Sequence, residues 1–114
     1  MATAPRRLPN EFASTMRLLD AISDLSNLND NDTIFARKPW THQSEACVAP
    51  LDRESRVPEA IKKLGLDYFL EVSVANEILA VFGERTPTID EVCELILFYA
   101  ENDAFPEWIF PSSS

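Results

Sequence analysis

Apolar side chains recur every three or four positions near the start of the chain, which is the spacing of one face of an α-helix. A Pro-Asn-Glu sequence at residues 9–11 precedes them and suits a helix start. The residues that share the spacing are Phe12, Met16, Leu19, Ile22 and Leu25. The pattern therefore predicts a first helix that follows an arm of residues 1–9.

Three short segments rich in β-branched and aromatic residues predict strands. The first two, residues 33–36 and 46–49, end before Pro39 and Pro50. The third, residues 67–72, alternates between two faces as strands do. One face would carry Tyr68, Leu70 and Val72, and the other Phe69 and Glu71.

Two shorter helices are predicted before the last one. Residues 59–64 follow a proline, which suits a first helical turn. Residues 74–82 follow Ser73, whose hydroxyl can cap a helix start. Gly65 and Gly83 come directly after these segments and indicate where each helix ends.

The last helix has the clearest start signal in the chain. Thr88 is followed three residues later by Glu91, which is the spacing of a capping box. The apolar period continues to Glu101 or Asn102. We expect the side chains of Asn102 and Asp103 to close this helix through bonds to nearby backbone groups.

The order of these elements predicts an α+β fold. A small sheet of about three strands, antiparallel or mixed, would pack against three to four helices. A chain of 114 residues has room for one core. The predicted organisation is an arm at residues 1–9, a single domain at residues 10–110 and a frayed tail at residues 111–114.

Negative charge is concentrated in the second half of the chain. The net charge is −9. Residues 1–63 contain nine acidic and nine basic residues, whereas residues 64–114 contain ten acidic residues and one base, Arg85. Such a surface repels nucleic acid and anionic membrane and attracts basic partners. The alternative explanation is that this charge serves only to keep the protein soluble.

Groups that carry catalytic chemistry are scarce. His42 is the single histidine, and Cys47 and Cys93 lie in a predicted strand and a predicted helix, where cysteine usually packs as a small apolar group. Two glycines, Gly65 and Gly83, cannot form a glycine-rich phosphate loop. We therefore expect no catalytic site, no cofactor and no metal.

No stretch of the sequence resembles a membrane anchor or an export signal. The longest apolar run, residues 95–100, is far shorter than the roughly 20 residues that cross a bilayer. The arm at residues 1–9 is followed by no apolar stretch of the kind found in signal peptides. We expect the protein to act in the cytoplasm.

A stripe of carboxylates follows one side of the last helix. At about 100° per residue, Asp90, Glu94 and Glu101 fall together, and Leu97 and Phe98 flank them. The opposite side, which should face the sheet, carries Ile89, Val92, Ile96, Tyr99 and Ala100. Leu97 and Phe98 are therefore covered by the first helix or the tail, or they meet a partner.

Aromatic residues are also frequent after this helix. Phe105, Trp108 and Phe110 lie close together around Ile109. They either fold back onto the core or form an adhesive patch.

The segment from Phe98 to Phe105, with the sequence Phe-Tyr-Ala-Glu-Asn-Asp-Ala-Phe, resembles the closing signature of small bacterial immunity proteins. These belong to polymorphic toxin systems, including those of contact-dependent growth inhibition. The resemblance extends over about residues 33–105. It includes Thr33-Ile34-Phe35 before Trp40, Pro58-Glu59, Gly65-Leu66 before a Tyr-Phe-Leu strand, and Pro87-Thr88.

The resemblance implies a protein that binds and neutralises a cognate toxin domain in the cytoplasm. Acidic character agrees with a basic toxin such as a nuclease, whose cleft must hold phosphates. The predicted partner-binding residues are Asp90, Glu94, Leu97, Phe98, Glu101 and Trp108. The alternatives are a general acidic interaction module, a small enzyme that uses carboxylates or His42 with a cysteine, and a homodimer through Leu97 or Phe98.

Overall fold

The computed structural model describes residues 15–109. Four strands form one sheet in the order β1-β3-β2-β4, and every neighbouring pair is antiparallel. The strands are β1 (Met16–Arg17), β2 (Thr33–Ala36), β3 (Glu45–Ala49) and β4 (Asp67–Glu71). The α-helices are α1 (Leu18–Ser23), α2 (Glu59–Lys63), α3 (Val72–Leu79) and α4 (Ile89–Asn102), and short 3₁₀ turns cover Leu25–Asn27, Ala80–Phe82 and Glu107–Ile109.

The α+β prediction is confirmed, with four strands where about three were expected. The sheet lies between two apolar clusters because alternate residues of β2 and β3 point to opposite faces. Ile34 and Ala36 belong to the larger cluster, which α1, α3 and α4 complete. Phe35 belongs to the smaller one, which includes Ile61 of α2. The arm at residues 1–9 and the tail at residues 111–114 lie outside the described residues.

The predicted first helix is present, with Leu19 and Ile22 in it, but within the described residues it begins later than expected and ends before Leu25. Met16 lies in β1, opposite Ala46 of β3, and 38% of its surface is exposed. Helix α1 begins at Leu18, whose N–H donates to the carbonyl of Ser44. Residues before 15, including Phe12, lie outside the description. Met16 matched the helical spacing, but pairing with β3 determines its conformation.

The predicted faces of the fourth strand were also wrong. Ile34 pairs with Leu70 but Phe35 pairs with Tyr68, so Phe69 is an extra residue in a β-bulge. The bulge lets the adjacent residues Phe69 and Leu70 both join the larger cluster, while Tyr68 is 41% exposed. Strict alternation cannot predict this arrangement.

Helix α3 begins two residues earlier than predicted. Val72 is its first residue and is buried, and the Val72 N–H donates to the carbonyl of Asp32. Glu71 therefore takes the cap position, with no side-chain cap bond, and Ser73 does not cap the helix. The predicted stop at Gly83 is confirmed after the 3₁₀ turn.

Candidate protein-binding surface

Helix α4 carries most of the predicted binding residues, and its start is determined locally. The Glu91 N–H donates to Thr88 Oγ1 at 3.1 Å, and the Thr88 N–H donates to Glu91 Oε1 at 3.0 Å. This confirms the predicted capping box. The buried side of the helix consists of Val92, Cys93, Leu95 and Ile96.

The opposite side of α4 faces solvent. Asp90, Glu94 and Glu101 are exposed, Phe98 is 38% exposed, and Leu97 is half-buried against the core. We call these five residues the acidic stripe. Sequence spacing thus placed the five together on the outward side. Ile89, which was expected to face the sheet, is instead 42% exposed because it starts the helix beyond the core.

The chain turns at the end of α4 before it reaches Trp108. Asp103 has the left-handed conformation, its N–H donates to the carbonyl of Tyr99, and the Asn102 side chain donates to the carbonyl of Phe98. The Asn102 side chain therefore closes the helix as expected, whereas Asp103 does so through its own backbone N–H and left-handed conformation. Phe105 then packs against Tyr99, with the two ring centres 5.3 Å apart. Tyr99 lies about 140° around the helix from Glu94, so the chain returns on a different side of α4.

Part of the aromatic tail folds back onto the core, and part of it is exposed. Ile109 is buried and joins the larger cluster. Trp108 is 48% exposed and Phe105 is 36% exposed. Phe110 lies outside the described residues. Trp108 is thus accessible to solvent.

A second element, which the sequence analysis did not assign to the surface, runs beside the stripe. It is the connection between β2 and β3, residues 37–44, here called the β2–β3 loop. Ser44 is buried inside it; its hydroxyl accepts from the Thr41 N–H at 2.8 Å and donates to the Pro39 carbonyl at 3.1 Å. The Trp40 indole N–H donates to the Ala36 carbonyl at 3.1 Å. These bonds hold the loop in one conformation.

The β2–β3 loop meets the stripe at two places. His42 Nε2 lies 3.7 Å from Glu94 Oε2. Nearer the end of α4, a depression of about 260 Å³ lies between Lys38, Pro39 and Trp40 of the loop and Ala100 and Glu101 of the helix. We call it the Trp40 groove. The resemblance had included Trp40, but no periodicity indicates which loop packs beside a helix.

A cation already lies over the aromatic wall of this groove. Lys38 Nζ is 5.1 Å from the centre of the Trp40 ring. The Trp40 ring packs edge-to-face against Phe69, with the two ring centres 4.9 Å apart. The Trp40 groove therefore presents a fixed aromatic face and a carboxylate to solvent.

Few of the carboxylates in the second half of the chain are neutralised. Within residues 15–109, Glu91 lies 3.4 Å from Arg85, and Glu94 lies near His42. Other carboxylates lie away from α4, and Glu71 shares a depression of about 320 Å³ with Asp30 and Asp32. The negative charge is thus not confined to the stripe, which differs by combining charge with exposed apolar groups.

The two cysteines are buried in different clusters. Burial, together with the nearby charges of Glu94 and Asp90, raises the pKa of Cys93 to about 11. Burial also raises the pKa of Cys47. Both thiols are therefore protonated at neutral pH. Among residues 15–109, no three His, Cys, Asp or Glu side chains are grouped to hold a metal ion.

The fold and the surface define a small α+β domain with an acidic, partly apolar helix face. The chain belongs to the family described as a domain of unknown function (DUF7716), whose model matches residues 15–108. No curated protein and no solved structure matches the chain. In the part of the chain that the structure describes, no helix has the length and apolar character needed to traverse a bilayer.

Proposed function

We propose that this protein is an immunity protein that neutralises a cognate bacterial toxin domain by stoichiometric binding in the cytoplasm. The toxin would be basic, in the manner of a nuclease that must hold phosphates. The acidic stripe would form the centre of the contact. The proposal rests on the surface of α4 together with the sequence resemblance to immunity proteins.

The observation that carries the proposal is the composition of the outward side of α4. Asp90, Glu94 and Glu101 supply negative potential, which speeds encounter with a basic partner and selects against acidic ones. Charge alone gives little affinity, because exposed ion pairs contribute little. Phe98 and Leu97 lie among the carboxylates and supply the apolar anchors that protein interfaces need.

The surface is also held rigidly before binding. Helix α4 buries four residues in the core, and the β2–β3 loop is fixed by the bonds of Ser44 and Trp40. Little conformational entropy is then lost when a partner docks, so more of the interaction energy contributes to affinity. A stoichiometric inhibitor benefits from this property because it must stay bound.

The test uses the purified full chain and the toxin domain encoded by the adjacent gene. Isothermal titration calorimetry should show a one-to-one complex, and toxin activity should fall to background at the same ratio. The double variant Glu94→Gln with Glu101→Gln should bind more weakly. The matched control is Glu77→Gln with Glu84→Gln, which removes the same charge from exposed positions outside α4.

Two results would contradict the proposal. If no complex forms with the toxin domain, the proposed function is wrong. If both double variants weaken binding equally, the acidic stripe is not the binding site. A complex that leaves the toxin fully active would instead favour the alternative, an acidic interaction module.

A further inference from the structure

The Trp40 groove combines groups that suit a positively charged planar side chain. One wall is the Trp40 ring, held by the indole bond to Ala36 and by the contact with Phe69. The other wall includes Glu101, an exposed carboxylate at the end of the stripe. Aromatic faces attract cations, and carboxylates pair with them.

Lys38 indicates that the ring face is reachable by a cation. Its ammonium lies over the ring from an exposed position, without a carboxylate within 4 Å among the described residues. Such an exposed contact is weak and its flexible side chain can move away. A guanidinium would fit the groove better, because it stacks flat on an aromatic ring and forms two parallel bonds with a carboxylate.

We infer that the Trp40 groove receives an arginine side chain of the bound partner. The guanidinium stacks on Trp40 in the place of Lys38 and pairs with Glu101. The inference rests on the proposed function and deepens it, since it assigns one arginine of the basic partner to one groove. It also gives a reason for the position of the β2–β3 loop beside the acidic stripe.

The first experiment measures the groove alone, with blocked arginine (N-acetyl-arginine amide) as the probe. In ¹⁵N-labelled full chain, the Trp40 indole N–H signal should shift and saturate, and that of Trp108 should not. Blocked citrulline, which has the same shape without charge, should produce no saturable shift. A saturable shift with blocked glutamate, or equal shifts with arginine and citrulline, would overturn the inference, as would no shift with arginine.

Three variants locate the effect. Glu101→Gln should weaken arginine binding by about threefold, as expected for loss of one exposed ion pair. Lys38→Ala should strengthen it, because the competing ammonium is gone. Glu77→Gln, an exposed carboxylate on α3, is the matched control and should have no effect. Equal affinities for the Glu101→Gln and unmodified chains would refute the assignment.

The second experiment separates this inference from the proposed function. The unmodified, Glu101→Gln and Glu77→Gln chains are titrated with the toxin domain. If the unmodified chain does not bind, the proposed function fails, whereas the first experiment still decides arginine binding. If all three bind equally, the protein can still be an inhibitor, but its interface does not use the Trp40 groove.

Discussion

Replacing Ser44 with alanine should loosen the loop that supports the candidate surface. The Ser44 hydroxyl is the buried link between the Thr41 N–H, at 2.8 Å, and the Pro39 carbonyl, at 3.1 Å. Alanine removes both bonds and leaves no polar replacement. The backbone bonds of Ser44, to the Thr41 carbonyl and from the Leu18 N–H, stay available. The perturbation is therefore confined to one hydroxyl.

The expected loss follows from those two bonds. A neutral hydrogen bond contributes about 0.5–1.5 kcal/mol, so two give about 1–3 kcal/mol in the free energy of unfolding. Because the lost bonds hold the segment that contains Trp40, the Trp40 indole N–H signal should broaden or move. Binding to the toxin domain should weaken as well, since the loop would no longer be fixed before docking.

Urea unfolding followed by fluorescence or circular dichroism measures the stability. The matched control is Ser23→Ala, since the Ser23 hydroxyl also donates one bond, to the Leu19 carbonyl at 2.8 Å, but lies at an exposed position. That variant should lie within about 0.5 kcal/mol of the unmodified chain. A Ser44→Ala variant as stable as the Ser23→Ala variant would refute the hydrogen-bonded link.

Three further substitutions test other parts of the fold. Thr88→Ala should lower the free energy of unfolding by about 1 kcal/mol and Thr88→Ser by much less, because the hydroxyl caps the Glu91 N–H; equal losses in urea unfolding would contradict this. Gly65→Ala should lose about 1 kcal/mol or more, since Gly65 has φ +81° and a Cβ there would lie 2.7 Å from Arg37 Nη1; an unchanged urea midpoint would contradict it. Burial and the charges of Glu94 and Asp90 raise the pKa of Cys93 from its ordinary 9.0 to about 11. The thiol of the unfolded chain therefore loses its proton at lower pH than that of the folded chain, and the free energy of unfolding should fall as the pH rises from about 9 to about 11. A Cys93→Ala chain whose stability falls equally steeply over this pH range would contradict this.

Helix α4 could be predicted well because its signals are local. Thr88 and Glu91 are three residues apart, and the 3.6-residue period places Glu94 on one side and Ile96 on the other. Both observations need only neighbouring positions in the sequence. The acidic stripe was therefore recognisable before the structure.

The errors arise where distant segments determine the conformation. Met16 fits a helical period but pairs with Ala46, which is thirty positions further along the chain. Phe69 breaks the strand alternation because β2 pairs around it as a bulge. Similarly, the proximity of His42 to Glu94 depends on how the β2–β3 loop packs, and no local pattern encodes that.

Trp108 shows a related effect at the end of α4. It was predicted to bind the partner together with the residues of the acidic stripe. Asp103, however, ends the helix in the left-handed conformation, and the chain then contacts the Tyr99 side through Phe105. The direction that the chain takes after the helix therefore depends on one backbone conformation. Sequence distance alone does not carry that information.

Glu101 is the member of the stripe whose place is hardest to explain by stability alone. It lies in the last turn of α4, where the helix dipole disfavours negative charge, and no basic residue is present in that turn. Removing its charge by Glu101→Gln should raise the free energy of unfolding by about 0.3 kcal/mol or more. Glu84→Gln, at an exposed position in the turn that precedes α4, should not. The same Glu101→Gln chain should bind the toxin domain more weakly. A residue that lowers stability but raises affinity is expected at a binding site. If Glu101→Gln instead lowers the free energy of unfolding, that result would count against a binding role for Glu101.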